Sequence, residues 1–175
     1  MLAGIGIRNG LILVQALWRD GEFFVYEMAY RLTGEQHYRL VQKQQGVSLA
    51  KMMIRLSLGE DISSFDTTLL DDEFFVKPSI NLAILLNPGT IAKISGLDSV
   101  YKIDEVISYN LTHKESDTVS ASGDYSHMLI RINMVAEEYA ALCRAVKDVN
   151  SFIKVTSTDG EDMLTARFEL PSEVK

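Results

Sequence analysis

Residues 11–28 read LILVQALWRDGEFFVYEM, and this stretch decides the local architecture of the first third of the chain. The runs at 11–18 and 22–28 are rich in β-branched and aromatic side chains, which favour strands. Arg19, Asp20 and Gly21 lie between them, and Asp-Gly is a common hairpin turn. The stretch therefore predicts a β-hairpin.

Two helices are predicted after the hairpin. Residues 31–36 (RLTGEQ) form a polar loop, and a helix should begin at His37, continue to about Gln44 and stop at Gly46. Ser48 is placed to cap a second helix, LAKMMIRLSLG. Apolar side chains recur at helical spacing in it, which predicts one packed face.

Residues 60–76 (EDISSFDTTLLDDEFFV) mix acids, serines and threonines without a clear period. We interpret them as a connector between two domains. Their acidic cluster, Asp71, Asp72 and Glu73, is expected to be a solvated face.

The second half of the chain predicts an α+β domain. The segments 80–87, 90–94, 104–113 and 127–134 are strand-like, with a turn at Asn87-Pro88-Gly89 between the first two. An amphipathic helix is predicted from the spacing of Val135, Tyr139, Leu142, Val146 and Val149. The segments 151–158 and 163–170 are expected to form a second hairpin at Asp159-Gly160. One long helix among strands should cover one sheet face.

Composition excludes several classes of function. The formal charge of -7 provides no basic stripe, so neither nucleic acid nor anionic membrane is an expected partner. The single cysteine, Cys143, cannot form an intramolecular disulfide and is interpreted as a buried structural thiol. No signal peptide or membrane-spanning run is apparent, so we expect a cytoplasmic protein. The three histidines lack zinc-ligand spacing.

Only the hairpin and the loop after it suggest chemistry, through Gln15, Glu27, Arg31 and Gly34. Glu27 ends an apolar strand, where an ionised carboxylate is costly to desolvate unless a cation meets it. It is a candidate Mg²⁺ ligand, or else a residue that faces water on an edge strand. Arg31 could hold a phosphate or carboxylate, or be a solvated loop residue. Gly34 could let a ligand approach the backbone, or only form a turn.

His37 is a weaker candidate. It could orient a substrate, although a lone histidine at a helix start is usually a surface residue. The sequence also has no Gly-rich phosphate loop and no nucleophile elbow.

The stretch GIRNGLILVQALWRDGEFFVYEMAYRLTGEQ resembles the end of the ATP-grasp fold of carboxylate-amine ligases. In that family a hairpin carries two Mg²⁺-binding side chains and is followed by a pattern like E-x-x-x-R-x-x-G, which Glu27, Arg31 and Gly34 match. GVSLAKMMIRLSLGED resembles the segment that closes the ATP-grasp domain in L-amino acid ligases. The rest, from NPGTIAKISGLDSV to RINMVAEEYAALCRAVKDVNSFIKV, is similar to their small C-terminal domain.

The resemblance implies an α+β fold in three parts: the end of an ATP-grasp domain at 1–60, a connector at 61–76 and a small mixed-sheet domain with one long helix at 77–175. It also implies an ATP-dependent reaction through an acyl phosphate. Glu27 and Gln15 would bind Mg²⁺, Arg31 would be the catalytic clamp, and Gly34 would lie against the cofactor. Two positions depart from the family: Gln15 replaces a carboxylate, and Ala29 stands where asparagine is frequent.

The same resemblance implies that the lobes holding ATP lie N-terminal to this hairpin. We therefore expect a fragment that binds neither ATP nor Mg²⁺ tightly by itself. Its partners would be the missing N-terminal lobes, a carboxylate and an amine substrate, and a second copy in a homodimer. The alternative is a non-catalytic binding or dimerisation module with a vestigial site.

The register of the hairpin decides whether a metal pair can exist. Antiparallel partners share a face of the sheet, so Gln15 and Glu27 can meet one ion only if they are directly opposite. A plain two-residue turn would place Val14 opposite Glu27. The family resemblance requires Gln15 opposite Glu27, through a three-residue loop of Asp20, Gly21 and Glu22 with a bulge or through an equivalent bulge. We predict the three-residue loop, because bulges re-aim side chains at functional sites.

Overall fold

The computed structural model of the protein describes residues 2–66, 68–70, 75–121 and 125–171. The chain divides into two compact units, Met1–Phe74 and Phe75–Lys175. The boundary falls within the polar stretch 60–76, and the assignment of three functional parts stays a prediction. The acidic cluster Asp71, Asp72 and Glu73 lies outside the described residues.

The first unit contains the predicted hairpin and both predicted helices. Its elements are a 3-10 turn (Leu2–Ile5), β1 (Leu13–Arg19), β2 (Glu22–Ala29), α1 (His37–Gln45), α2 (Leu49–Ser57) and a second 3-10 turn (Thr68–Leu70). Strands β1 and β2 pair antiparallel and form a two-stranded sheet.

The ends of both helices follow from their local sequence. Gly46, with a φ of 75°, ends α1 in the left-handed conformation that glycine adopts most easily, and its N–H donates to the carbonyl of Gln42. The Ser48 hydroxyl accepts a hydrogen bond from the N–H of Lys51 at 3.3 Å. This contact satisfies one of the free donors at the start of α2, as predicted.

Few side chains of the first unit are buried. Among its described residues the buried apolar side chains are Leu40, Val47 and Met52, which come from the two helices and the link between them. The hairpin contributes none of them. A two-stranded hairpin is only marginally stable by itself, so this element is the least self-sufficient part of the fold.

The second unit is built from two antiparallel sheets and one long helix. Its elements are β3 (Ser79–Leu85), β4 (Gly89–Ser95), α3 (Leu97–Val100), β5 (Val106–Leu111), β6 (Thr118–Val119), a 3-10 turn (Tyr125–His127), β7 (Met128–Val135), α4 (Tyr139–Phe152) and β8 (Lys154–Ser157). One sheet has the order β3-β7-β5 and the other β6-β4-β8.

The α+β class and the long helix are confirmed. The expected mixed sheet is instead a pair of three-stranded sheets, and all strand pairs in the described residues are antiparallel. Strands β3 and β4 meet at the Asn87-Pro88-Gly89 turn as predicted but belong to different sheets.

Three details of the second unit correct the sequence analysis. Val135 ends strand β7 rather than beginning the helix, which starts at Tyr139. Residues 163–170 form no strand, and a single isolated bridge, Leu164 with Leu86, stands in place of the expected hairpin arm. Cys143 is half-buried rather than buried.

The core of the second unit lies between strand β7 and helix α4. Six of the eight residues of β7 are buried, so both faces of this central strand are covered. Leu142 and Val149 of α4 are buried too, and burial of such a helical stripe is what the sequence pattern predicts. No helix in the described ranges is long and apolar enough to cross a membrane.

Candidate functional site

The hairpin combines a tight turn with a bulge. Asp20 and Gly21 have φ values of 53° and 86° and form the two-residue turn, with Arg19 paired to Glu22. The predicted three-residue loop is therefore wrong. Asp-Gly accommodates the left-handed conformation at both positions of such a turn, so local preference fixes the tip of the hairpin.

The register shifts further along the ladder, and this shift restores the predicted pair. Ala16 is opposite Val25, but Gln15 is opposite Glu27, so Tyr26 is an additional residue on β2. The predicted pairing is thus present, but a bulge in the middle of the hairpin produces it and not the predicted loop. Without this bulge, the two-residue turn would have paired Val14 with Glu27 and placed the carboxylate on the other face of the sheet.

The bulge sorts the hairpin side chains onto two different faces. Directly paired residues share a face, whereas the additional residue of the bulge, Tyr26, has no partner in the ladder. The Gln15 face carries Leu13, Gln15, Leu17, Arg19, Glu22, Phe24, Glu27 and Ala29. The apolar face carries Val14, Ala16, Trp18, Phe23, Val25 and Met28.

Gln15 and Glu27 offer a side-chain amide and a carboxylate to the same volume. The Cβ atoms of such cross-strand partners lie about 4.5–5.5 Å apart. Glu27 is exposed and Gln15 is half-exposed, and neither side chain has a hydrogen-bond or ionic partner among the described residues. The argument that an apolar strand desolvates Glu27 does not hold for this chain, because its carboxylate faces solvent.

The donor set matches a Mg²⁺ site only in part. No group of three or more His, Cys, Asp or Glu residues that could hold a metal occurs in the described ranges. Two oxygen donors from the protein suit Mg²⁺, which completes its octahedron with water and phosphate oxygens, although amide oxygens carry no charge. The chain therefore supplies the beginning of such a site.

The loop that holds Arg31 and Gly34 begins two residues after β2. Arg31 is exposed, and its Nη1 donates to the carbonyl of Leu32 at 3.1 Å. Gly34 does not have a positive φ, and a Cβ built on it would meet nothing within 4 Å. Neither the backbone conformation nor packing within the described chain requires glycine at this position.

A cavity of about 180 Å³ lies beside this loop. Leu11, Val41 and Leu49 contribute to its apolar wall, and Arg31, Thr33 and His37 to its polar one. The Thr33 hydroxyl is buried and has no hydrogen-bond partner among the described residues. A buried unpaired hydroxyl is unfavourable, so Thr33 is a candidate ligand contact that the sequence analysis missed. Nothing in a threonine within a polar loop indicates burial in advance.

The remaining candidates have structural partners. The His37 ring lines the cavity, and its Nε2 lies 3.4 Å from the carboxylate of Glu35. His113 contacts the carboxylate of Asp117 at 3.4 Å, and Nδ1 of His127 lies 2.9 Å from the carbonyl of Leu86. Each of the three histidines thus has a protein partner.

No protein-family model and no curated protein matches the sequence. Solved structures do match. The L-amino acid ligase from Bacillus licheniformis aligns with 90% of this chain at a TM-score of 0.73 and 19% identity. Phosphoribosylglycinamide synthetase from Anaerococcus prevotii also aligns with 90%, at a TM-score of 0.71 and 16% identity. N5-carboxyaminoimidazole ribonucleotide synthetase from Thermotoga maritima aligns with 85% of this chain, at a TM-score of 0.54 and 18% identity.

The fold is that of part of an ATP-grasp ligase. The chain spans 38%, 39% and 37% of the lengths of those three ligases, respectively. The fold expected from the resemblance is therefore confirmed. At identities below one fifth the likeness extends to the fold alone, and the roles of Gln15, Glu27, Arg31 and Gly34 stay predictions.

Proposed function

We propose that this chain forms the metal-binding end of an ATP-dependent ligase that joins a carboxylate to an amine. The observation that carries the proposal is the bulge at Tyr26. It places Gln15 and Glu27 side by side on one face of the hairpin, just before the loop with Arg31 and Gly34. The ATP-grasp fold supports the same general kind of enzyme.

Each of the four residues has a distinct role in this proposal. Gln15 and Glu27 hold Mg²⁺, which supplies positive charge to the phosphates of ATP. Arg31 donates hydrogen bonds to the transferred phosphoryl group, and its charge offsets the negative charge that develops there. Gly34 leaves the backbone open to the ligand.

The reaction has two steps. The substrate carboxylate attacks the γ-phosphate and releases ADP, and the amine then attacks the resulting acyl phosphate and releases inorganic phosphate. Arg31 is suited to both steps because only its Nη1 is engaged within the described chain, by the Leu32 carbonyl. The remaining donors of its guanidinium fork can hold phosphate oxygens in parallel bonds.

Other lobes have to complete the site. Two protein ligands do not fill a Mg²⁺ octahedron, and no Gly-rich phosphate loop occurs in these 175 residues. We infer that nucleotide-binding lobes meet the Gln15 face, in a cytoplasmic protein. The chain alone should then neither hydrolyse ATP nor bind it tightly.

A second candidate function is a non-catalytic binding module with a vestigial site. Two residues favour it: Gln15 provides a neutral oxygen where a carboxylate would bind Mg²⁺ more strongly, and Ala29 lacks a polar side chain. Measurement of metal binding at the hairpin separates the two candidates.

The test is a titration of the isotopically labelled chain with Mn²⁺, a paramagnetic substitute for Mg²⁺, followed by NMR. Amide signals around Gln15 and Glu27 should broaden, and Glu27→Gln should abolish the effect. Gln15→Glu adds a second charge and should tighten binding by about tenfold or more, because affinity rises with the number of charged ligands.

Glu22→Gln is the matched control, because Glu22 lies on the same face near the turn but opposite Arg19. It should leave Mn²⁺ binding unchanged. Broadening that survives Glu27→Gln, or that centres on Glu22, would show that the pair is not a metal site and would favour the vestigial module.

A further inference from the structure

The cavity beside the Arg31 loop has a wall that is apolar or aromatic except at Arg31, Thr33 and His37. Leu11 reaches it from the segment before β1, Val41 from α1 and Leu49 from the start of α2. All of these residues belong to the first unit. The cavity is therefore formed within one compact unit, where the hairpin and the two helices meet.

The size of the cavity suits a small occupant. Its volume of about 180 Å³ is below the roughly 300–1,000 Å³ of pockets that take drug-sized ligands. A water molecule takes about 30 Å³ of the liquid, so this space equals about six non-hydrogen atoms. Water at an apolar wall lacks hydrogen-bond partners, whereas a short carbon chain is stabilised when it leaves water for such a wall.

Arg31 gives the cavity a positive charge at its exposed side. The Nη1 atom of Arg31 donates to the Leu32 carbonyl, and the rest of the guanidinium fork can hold a carboxylate in two parallel hydrogen bonds. No acidic side chain of the described residues lines the cavity, because Glu35 lies outside it and pairs with His37. An ammonium group inside it would thus be desolvated without a counter-charge.

The buried hydroxyl of Thr33 is a second and independent sign of a ligand. Thr33 lines the cavity, and its Oγ1 has no hydrogen-bond partner among the described residues. A hydroxyl in this state is unfavourable, and a carboxylate oxygen is an acceptor that would satisfy it. The charge of Arg31 and the unpaired donor of Thr33 therefore call for the same chemical group.

We propose that the cavity binds the carbon chain of a short aliphatic carboxylate whose carboxylate group contacts Arg31 and Thr33. The volume corresponds to an acid of about four to six carbon atoms. The inference rests on the proposed function, because it names the class of acid that the ligase activates: a simple aliphatic acid without an α-amino group. Its carboxylate lies beside Arg31, where the proposed reaction transfers the phosphoryl group.

The test is an NMR titration of the isotopically labelled full chain without nucleotide or metal. The probe is 3-methylbutanoate, and the methyl signals of Leu11, Val41 and Leu49 should shift and saturate, with a dissociation constant of about 1–10 mM for a ligand of this size. Three relatives of the probe separate its parts: acetate lacks the chain, 3-methylbutan-1-ol lacks the charge, and leucine adds an ammonium group. Each should bind at least about tenfold more weakly.

Variants assign the contacts. Arg31→Gln should weaken binding of 3-methylbutanoate by about tenfold or more, whereas Arg19→Gln, which removes a charge of the same unit outside the cavity, should leave it unchanged. Thr33→Val removes the hydroxyl at nearly constant volume and should weaken binding by about threefold to tenfold. The melting temperature should not fall in this variant, because the hydroxyl has no partner in the described chain. Val41→Phe fills the cavity and should abolish binding.

Shifts that do not saturate would overturn the inference. Equal binding of acetate or leucine, or binding that survives Val41→Phe, would overturn it as well. The titration with Mn²⁺ at the hairpin is separate from this one. Loss of Mn²⁺ binding with retained binding of the acid would remove the ligase function and leave a carboxylate site. Retained Mn²⁺ binding without binding of the acid would remove the carboxylate site alone.

Discussion

Replacement of Gly34 by alanine separates the two interpretations of this residue. If the loop needs glycine only to turn, alanine should destabilise the fold. The structure predicts otherwise, because Gly34 does not have a positive φ and a Cβ there would meet open space. Where the backbone is compatible, alanine stabilises by about 0.4–1 kcal/mol through reduced entropy of the unfolded chain. We therefore expect Gly34→Ala to raise the free energy of unfolding by that amount.

Gly10 is the matched control in the same unit. Its φ is 114°, and a Cβ would lie 2.1 Å from the hydroxyl oxygen of Tyr30, which donates a hydrogen bond to the Asn9 carbonyl at 2.9 Å. Gly10→Ala should cost about 1–2 kcal/mol for the left-handed conformation. Displacement of Tyr30 should add about 0.5–1.5 kcal/mol for the lost hydrogen bond. The free energies of unfolding of the two alanine variants should thus differ by about 2–4.5 kcal/mol.

The assay is urea unfolding at a fixed protein concentration, followed by the fluorescence of Trp18, which lies in the same unit as both glycines. An equal loss of stability in the two variants would show that the loop itself requires Gly34, and the ligand interpretation would then be unnecessary. A stable Gly34→Ala protein that loses ligand affinity in the assembled ligase would support close approach of a ligand to the backbone.

Two further predictions concern the second unit. Gly96→Ala should lower the free energy of unfolding by about 2–5 kcal/mol through left-handed strain and overpacking, because φ is 87° and a Cβ would lie 1.9 Å from the carbonyl oxygen of Phe152. Gly160→Ala is the control: its φ is 83° but the space around it is open, so the loss should be only about 1–2 kcal/mol. Calorimetric unfolding of both variants measures the difference. The Asp117 carboxylate accepts a hydrogen bond from the backbone N–H of Lys114, which lowers the pKa of Asp117 below its usual 3.8. The ionised carboxylate therefore stabilises the fold above pH 3.8, and this stabilisation is lost as the pH falls through the lowered pKa. In urea titrations at neutral pH and at about pH 3, the Asp117→Asn protein should show a smaller drop in the free energy of unfolding than the unmodified chain.

Elements fixed by adjacent residues could be predicted from the sequence. The position of the hairpin turn at Asp20-Gly21, the end of α1 at Gly46 and the start of α2 at Ser48 all depend on contacts within four residues, although the length predicted for the turn was wrong. Their chemistry is local, so a short window of sequence contains the information. The apolar segment 127–134 likewise predicted the strand β7.

Elements fixed by distant partners could not be predicted. The two-residue strand β6 exists because it pairs with β4, which is remote in sequence, and two residues give no period to detect. Val135 fits a helical spacing, but its N–H bonds to the Glu105 carbonyl and holds it in the sheet. The burial of the Thr33 hydroxyl depends on helices that follow it in the chain.

The bulge at Tyr26 shows how local and functional requirements are reconciled in one hairpin. Asp-Gly sets an even register at the tip, and that register would place Glu27 among the apolar residues of the opposite face. One additional residue changes the register only for the part of the hairpin remote from the turn, where residues 13–15 pair with 27–29. The turn keeps its preferred geometry. The same shift keeps Glu27 on the face that also carries Arg19 and Glu22. A single inserted residue thus creates the candidate metal pair, which could not be recognised from the spacing of hydrophobic residues alone.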